Sequence, residues 1–183
     1  MIAVDSSTSG ACNNAYCVND PSSGQWSSTS VTQQTINSVT SIAQGKIGVY
    51  YNYCAASAGS YCYGDGTSYG TSSGNATEDI CPAGWRLPTG GSSGEFNSLY
   101  SQYSSGSPSQ VVAAFQTALA SPLSGYFYSG TARNQGNYGL FWSSTRYSDS
   151  SMYRLYVNSS NVDPSDYNYR HYGYSVRCIL SSS

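Results

Sequence analysis

Six cysteines constrain this chain of 183 residues more than any other feature of its sequence. Their number is even, no two of them form a Cys-x-x-Cys pair, and the chain has a single histidine, His171. This pattern favours disulfides over a structural zinc site, which needs closely spaced cysteine or histidine ligands. Because disulfides persist in oxidising compartments, we expect an extracellular protein or one displayed at the cell surface.

The pairing of the cysteines stays open at this stage. Six cysteines allow fifteen different sets of three disulfides, and their spacing does not select one of them. The set that we favour joins Cys12 to Cys17, Cys54 to Cys62 and Cys81 to Cys178. Reduced and buried thiols, which pack like small apolar side chains, are the alternative.

Low charge excludes several classes of partner. Charged residues make up only 9% of the chain, the net charge is -2, and Lys46 is the only lysine. We therefore expect no nucleic-acid binding, which needs dense positive charge. No apolar run approaches the roughly 18 residues of a membrane span, so no membrane insertion is expected within this chain. Residues 1–4 are too short for a signal peptide, and we expect that a native signal or anchor has been removed.

The order of the secondary-structure signals predicts an α+β domain at residues 46–183, with residues 1–45 as an N-terminal extension that packs on it or leads into it. Residues 45–57 are aromatic and β-branched and predict a strand. A first helix is predicted to begin at a capping box of Ser92 and Glu95, and a second at Ser107, with Gln110 reaching back. Their apolar faces are predicted to consist of Phe96, Leu99, Tyr100 and Tyr103, and of Val111, Phe115, Ala118 and Leu119.

Four short aromatic segments after the helices predict strands. They are GYFYSG, YGLFWSS, MYRLYVNS and YGYSVRCIL. In the third segment, apolar and polar positions alternate, which predicts one inward and one outward face. The inward set is Tyr153, Leu155 and Val157, and the outward set is Arg154, Tyr156 and Asn158.

Three motifs resemble those of a known family. They are CPAGWRLPT at residues 81–89, FWSST at residues 141–145 and GYSVRCI at residues 173–179. Their order and spacing resemble the Fibrobacter-type major paralogous domain, which is similar to the C-type-lectin-like fold. The resemblance implies two helices packed on a small twisted antiparallel sheet, with long loops and disulfides. It also implies that Cys81 and Cys178 lie close together.

The motif residues also have a physical interpretation. Trp85, Leu87 and Pro88 are predicted to form a buried anchor before the first helix, and Trp142 is predicted to fill the core. Arg86 is predicted to pair within the fold, with a carboxylate or with backbone carbonyl groups. These residues are therefore expected to be structural.

Residues 146–174 have an unusual composition. They contain seven of the 19 tyrosines and six serines, and no lysine, glutamate or glutamine. Some members of the fold resemble the variable proteins of diversity-generating retroelements, in which an error-prone reverse transcriptase rewrites the adenines of Asn codons. Such rewriting yields Tyr, Ser, Asp, His, Gly and Arg, among others, but not Lys, Glu, Gln, Met or Trp. The resemblance therefore implies a hypervariable binding face at about residues 141–175, in which Met152 cannot have arisen this way.

The same composition has a physical meaning. Tyr supplies large, rigid contact area and Ser supplies adaptable hydrogen bonds, as in antibody combining sites. Leu155, Val157, Val162 and Val176 are predicted to support this face from beneath. The ligand is expected to be a protein or another cell-surface molecule. The predicted contact residues are Arg146, Tyr147, Ser148, Asp149, Ser150, Ser151, Tyr153, Arg154, Tyr156, Asp163, Ser165, Asp166, Tyr167, Tyr169, His171 and Tyr172.

Other functions are less favoured by the sequence. The fold group includes formylglycine-generating enzymes, but their redox-active cysteine pair near the C-terminus has no counterpart here, and no catalytic triad is evident, so we do not expect an enzyme. The triplets of calcium-dependent sugar lectins are absent, and no cofactor or metal is predicted. Asp65, Glu78 and Asp79 are the alternative, as oxygen ligands for Ca²⁺. A fixed adhesin or structural surface module without diversification is the alternative function.

Overall fold

The structure, a computed structural model, describes residues 18–20, 25–27, 50–60, 74–119 and 123–181. Within these residues the fold is α+β, and the paired strands of every sheet are antiparallel. The strands are β1 (Val18–Asp20), β2 (Gln25–Ser27), β3 (Tyr50–Tyr51), β4 (Trp85–Arg86), β5 (Tyr126–Tyr128), β6 (Thr131–Arg133), β7 (Gly139–Arg146), β8 (Ser151–Val157), β9 (Val162–Tyr169) and β10 (Ile179–Leu180). The helices are α1 (Tyr53–Ala56), α2 (Glu95–Tyr103) and α3 (Pro108–Leu119).

The central sheet consists of β7, β8 and β9 in that order. Its register places Phe141 opposite Leu155, and Val157 opposite Val162. Because side chains alternate between the two faces of a strand, these four apolar residues share one face. All four are buried, which confirms the predicted inward positions of Leu155 and Val157 and the supporting position of Val162.

Helices α2 and α3 cover this face of the central sheet. Phe96 of α2 and Phe115 of α3 are buried in one cluster with the apolar residues of the sheet. Helix α3 begins as predicted, since the Ser107 backbone N–H donates to Oε1 of Gln110 at 2.9 Å. The apolar faces of both helices are confirmed, although the side chains of Ala118 and Leu119 lie outside the described part of the chain.

The opposite face of the central sheet is also covered, which corrects the predicted outward face of β8. Trp142 and Met152 are buried there against Tyr53 of α1 and Tyr174. The indole of Trp142 lies 5.4 Å from the ring of Tyr53 and 4.4 Å from that of Tyr174, between ring centroids. Its N–H donates to the carbonyl of Tyr51 at 2.8 Å. The predicted core position of Trp142 is therefore confirmed.

A disulfide joins Cys81 to Cys178, with Cα atoms 5.8 Å apart, which confirms this predicted pair. It lies next to the ribbon of β4 and β10, in which Arg86 is paired with Ile179. The disulfide and the pairing of β4 with β10 therefore attach the C-terminal part of the domain to the segment that precedes α2.

The remaining cysteines are described only in part. Cys54 is disulfide-bonded, so it is not a reduced thiol. Cys12, Cys17 and Cys62 lie outside the described residues. The predicted bridges from Cys12 to Cys17 and from Cys54 to Cys62 therefore stay predictions.

The strand predicted for residues 45–57 is wrong in part. Only Tyr50–Tyr51 is a strand, and Tyr53–Ala56 forms one helical turn, while residues 45–49 lie outside the described part. Asn52 starts the turn, because its side-chain oxygen accepts a hydrogen bond from the backbone N–H of Ala55 at 2.9 Å. Asparagine is one of the preferred residues at this position, and here the cap outweighs the strand propensity of the tyrosines.

Helix α2 does not begin with the predicted capping box of Ser92 and Glu95. Gly94 is the N-cap and makes no side-chain capping bond. Thr89 and Glu95 exchange two hydrogen bonds of 2.9 Å, in which each backbone N–H donates to the side chain of the other. Arg86 adds two hydrogen bonds of 2.7 and 2.6 Å to the same carboxylate, which confirms its predicted pairing within the fold. The reciprocal cap thus reaches six residues back, across a folded loop that helical spacing does not predict.

Strand β9 was not predicted. Its sequence, VDPSDYNY, consists mainly of turn-forming residues and contains Pro164. The strand lies at the edge of the central sheet, and its register shifts by one residue between the pairs Arg154–Asp166 and Tyr156–Asp163. An edge bulge tolerates proline, which has no N–H to donate to a neighbouring strand.

Trp85, predicted to be a buried anchor, is 47% exposed. Its cross-strand partner Leu180 is also exposed, so no described element covers this end of the ribbon. Leu87 and Pro88 are buried as predicted. The buried anchor of the motif therefore consists of Leu87 and Pro88, and the indole of Trp85 is not part of it.

Candidate recognition surface

The tyrosine-rich segment follows the central sheet from the end of β7 through β8 and β9 to the bridged residues 173–175. Because successive side chains alternate between faces, the segment contributes to both faces of the sheet. The sixteen predicted contact residues therefore do not form one continuous surface.

Three of them form a group that we call the Tyr147 cluster: the exposed Tyr147 and Tyr167 and the half-buried Tyr153. The predicted inward position of Tyr153 is therefore only partly correct, unlike those of Leu155 and Val157. Tyr147 and Tyr167 stack with their ring centroids 3.6 Å apart, and Tyr153 meets them edge-on at 5.2 and 6.4 Å. Tyr147 is 45% exposed and Tyr167 is 46% exposed. The cluster is therefore a solvent-facing aromatic surface on the face of the sheet that carries the helices.

Two glycines that directly follow the first motif lie beneath this cluster. Gly91 has a φ of +82°, and a Cβ atom added there would lie 3.3 Å from the ring of Tyr153. A Cβ atom added at Gly90 would lie 2.6 Å from the Cβ of Tyr153. The loop before α2 can approach the tyrosine this closely only because both residues lack side chains.

The turn between β7 and β8 borders the Tyr147 cluster. Arg146 is buried and donates from Nε to the carbonyl of Ser148 at 3.0 Å, and it forms an ion pair with Asp149. Ser151 is also buried, whereas Asp149 and Ser150 are exposed. Arg146 and Ser151, both predicted contacts, therefore support the turn from within and do not face solvent.

Three other predicted contacts lie on the opposite face of the sheet. Arg154 donates to Asp166 at 2.8 and 2.7 Å, and its guanidinium carbon lies 4.7 Å from the ring centre of Tyr174. Tyr156 packs against Tyr138 with a centroid distance of 5.3 Å. These side chains are half-buried and mainly contact other parts of the protein.

Asp163 and Ser165 lie toward the other end of β9. Asp163 is paired with Tyr156 of β8, and Tyr167 follows it by four residues, which corresponds to about 13 Å along a strand. The Asp163 carboxylate accepts a hydrogen bond from the Ser165 backbone N–H at 2.9 Å. Asp163 is therefore remote from the Tyr147 cluster, whereas Ser165 lies only two residues from Tyr167 on the same strand.

A second aromatic group, which we call the Tyr172 cluster, consists of Tyr126, Tyr128, Tyr169, His171 and Tyr172. Tyr172 stacks on Tyr128 at 4.3 Å between ring centroids, and it lies 5.9 Å from Tyr126. His171 lies 5.6 Å from Tyr169 and 5.8 Å from Tyr128. The predicted contacts Tyr169, His171 and Tyr172 thus lie together, next to strand β5.

Tyr126 and Tyr128 are absent from the sequence prediction, although a signal for them exists. They flank the buried Phe127, so alternation places both of them on the side of the strand opposite to Phe127. Phe127 and Gly173 exchange two backbone hydrogen bonds of 2.9 Å, which bring β5 beside the end of the tyrosine-rich segment. This long-range pairing cannot be deduced from the spacing of residues along the chain.

Burial, hydrogen bonding and a nearby charge shift the pKa values of three side chains in the two clusters. Burial, and then the nearby charge of Arg170, lower the pKa of His171, so its imidazole is neutral at neutral pH. Burial raises the pKa of Tyr172, and hydrogen bonding with Tyr147 raises the pKa of Tyr167. Neutral phenols and an imidazole favour binding by apolar contact and hydrogen bonds.

The described residues contain no group of three or more His, Cys, Asp or Glu side chains that could hold a metal ion. The Asp79 carboxylate accepts hydrogen bonds from the backbone N–H groups of Cys81 at 2.9 Å and of Leu87 at 2.8 Å. Asp65 lies outside the described residues. Among the described helices, none is long and apolar enough to cross a membrane.

The chain was compared with known proteins, and one family model matches part of it. No curated protein and no solved structure matches it. Residues 112–179, which extend from α3 to the start of β10, match the family model of a domain of unknown function, DUF8237. Both tyrosine clusters lie within the stretch that is similar to this domain.

Proposed function

We propose that this chain is an extracellular ligand-binding protein, a receptor or an adhesin, whose recognition surface is centred on the Tyr147 cluster. The observation that carries the proposal is the exposure of stacked tyrosines at one end of a sheet that carries an apolar cluster on each of its two faces. A rigid support means that few side-chain rotamers must be frozen when a ligand binds. The exposed Asp149 and Ser150 of the adjoining turn supply hydrogen-bonding groups.

The proposed fold is C-type-lectin-like. Its support is the packing of α2 and α3 on one face of a small antiparallel sheet, together with the Cys81–Cys178 bridge beside the β4–β10 ribbon. The three sequence motifs occupy consistent structural positions, since each contributes a buried residue: Leu87, Trp142 and Tyr174.

We further propose that the gene is the target of a diversity-generating retroelement. Exposed positions of the segment carry residues that rewritten Asn codons can encode, such as Tyr147, Asp149, Ser150 and Tyr167. Met152, which such codons cannot encode, is only 1% exposed and belongs to the core. Variation limited to exposed positions would leave the packing of the sheet unchanged.

Sequencing the gene across a population of its source tests diversification. Variation is expected at the codons of Tyr147, Asp149, Ser150 and Tyr167, at adenines of a nearby template repeat, and not at the Met152 codon. If the exposed codons are as invariant as that of Met152, diversification is wrong. The second candidate, a fixed adhesin or structural surface module that uses the same exposed tyrosines, then becomes the better hypothesis.

Two displayed libraries test the recognition surface itself. One randomises four exposed positions in and beside the Tyr147 cluster (Tyr147, Asp149, Ser150 and Tyr167), and the matched control randomises four buried ones (Met152, Leu155, Val157 and Val162). Most members of the first library are expected to stay protease-resistant and to yield binders to a purified protein such as lysozyme. Equal loss of protease resistance in both libraries would mean that the tyrosines are core residues. Resistant members that never yield binders would argue against recognition.

A further inference from the structure

The hairpin of β5 and β6 brings a cation to the Tyr172 cluster. Arg133 is exposed, and its guanidinium carbon lies 5.6 Å from the ring centre of Tyr128. Tyr128 stacks in turn on Tyr172. The arginine therefore lies at the end of a row of aromatic rings that continues through His171 to Tyr169.

The backbone holds this hairpin in a fixed position. Gly125, at its base, donates its N–H to the carbonyl of Tyr138 at 2.6 Å. A Cβ atom added at Gly125 would lie 2.2 Å from the carbonyl oxygen of Arg133, so the chain segments approach too closely for any other residue. Gln135 also donates to the hydroxyl of Tyr50 at 2.9 Å. The backbone that carries Arg133 is thus rigid although its side chain is exposed.

The positive charge of Arg133 has no carboxylate partner among the described residues. The ion pairs there involve three other arginines, Arg86, Arg146 and Arg154. A guanidinium that lies over an aromatic ring keeps its N–H donors at its edge, where they match the two oxygens of a carboxylate. The other side chains of this row are tyrosines and a histidine, so the row contains no carboxylate that would repel an anion.

We propose that Arg133, Tyr128 and Tyr172 form a second binding site, which accepts an acidic side chain of a protein ligand. The carboxylate pairs with the guanidinium, and an apolar neighbour of the acidic residue packs on the tyrosine rings. A protein is favoured because Tyr and Arg are the residues enriched at protein interfaces and because the row of rings extends beyond one small group. The inference rests on the proposed function, since it assigns part of the same ligand to residues outside the tyrosine-rich segment.

A titration monitored by NMR tests the site in the full chain. The probe is the blocked dipeptide acetyl-Phe-Asp-amide, and its neutral counterpart is acetyl-Phe-Asn-amide. The Asp probe is expected to shift the Arg133 side-chain signal and the ring signals of Tyr128 and Tyr172 saturably, at millimolar concentrations. The Asn probe is expected to bind about fivefold more weakly, because it lacks the charge for an exposed ion pair.

Matched variants decide whether Arg133 is the cation. R133Q is expected to bring the affinity for the Asp probe down to that for the Asn probe, whereas R177Q, at another partly exposed arginine, leaves it unchanged. Equal affinities for the two probes, or no saturable shift near Arg133, would overturn the proposal. Tighter binding of digalacturonate than of the dipeptide at the same signals would assign the site to acidic sugars instead.

This test is separate from that of the proposed function. Binders from the Tyr147-cluster library without any shift at Arg133 would remove the second site and leave the recognition surface intact. A saturable shift at Arg133 in a protein whose exposed tyrosines accept no binders would retain the acidic site and remove the proposed function.

Discussion

The two tyrosine-containing clusters that flank the central sheet differ in what happens to their polar atoms. In the buried cluster, the Tyr53 hydroxyl donates to the carbonyl of Ser144 at 2.7 Å, and the Trp142 indole donates to Tyr51. In the Tyr147 cluster, ring contacts are equally close, but the hydroxyl groups face solvent or one another. Stacked rings therefore do not identify a core. What distinguishes the buried cluster is that its polar atoms have hydrogen-bond partners within the protein.

The largest expected loss of stability comes from removing a large side chain from the buried cluster. Trp142→Ala removes a fully buried indole and should lower the free energy of unfolding by about 4 kcal/mol, measured by urea denaturation. Trp85→Ala is the matched control, because this indole is half exposed. Equal losses in the two variants would contradict the assignment of Trp142 to the core.

A smaller effect is expected from a single buried hydroxyl. Tyr174→Phe keeps the ring but removes the hydroxyl that contacts the Arg154 guanidinium. Leaving that charged donor without its partner should cost about 1.5 kcal/mol of stability. Tyr167→Phe, in the exposed cluster, should change stability by less than about 0.5 kcal/mol. Similar values for the two variants would remove the distinction between the clusters.

The loop before α2, which Glu95 links to Arg86, should lose stability in acid. Hydrogen bonding to Arg86 holds the pKa of Glu95 below its ordinary value of 4.5. Because the folded-state pKa is the lower one, the stabilisation is present above about pH 4.5 and is lost as the pH falls through the lowered value. Glu95→Gln should therefore reduce stability by less than about 1 kcal/mol at neutral pH and flatten its decline in acid, since this pair is partly exposed. Thermal unfolding from pH 2 to pH 7 measures this, with the exposed Glu78→Gln as control, and an unchanged acid decline would contradict it.

The smallest effect concerns the stacked pair. Tyr147→Phe should leave stability within about 0.5 kcal/mol of the parent. The pKa of Tyr167 should fall toward its ordinary value, because hydrogen bonding with Tyr147 is the main cause of its rise. NMR titration of the Tyr167 ring signals measures the shift, and Tyr169→Phe is the control. A pKa of Tyr167 that stays raised in Tyr147→Phe would mean that the two rings do not interact in solution.

Local patterns predicted the parts of this protein that depend on neighbours in sequence. The apolar faces of both helices, the start of α3 at Ser107 and the inward positions of Leu155 and Val157 follow from spacing alone. The start of α2 does not, because Glu95 finds Thr89 and Arg86 across a loop. Strand β9 was not predicted, because Pro164 argues against a strand except at the edge of a sheet or at a bulge.

The candidate contact residues were predicted from composition, and the topology of the sheet distributes them over both of its faces. Composition identified Tyr147 and Tyr167 as candidate contacts, but it also included Arg146 and Ser151, which are buried. It could not include Tyr128 and Arg133, because their place beside Tyr172 depends on a pairing between distant parts of the chain. Residue type therefore predicted the chemistry of the surface, and strand register determined which side chains share it.

The Cys81–Cys178 bridge has a mechanical consequence. It spans 97 residues, and both tyrosine clusters lie inside that span. A pulling force applied to the chain outside the two cysteines passes through the covalent bond and does not stretch the residues between them. Tension applied between the two ends of the chain therefore leaves both tyrosine clusters folded, because the bridge carries it past them.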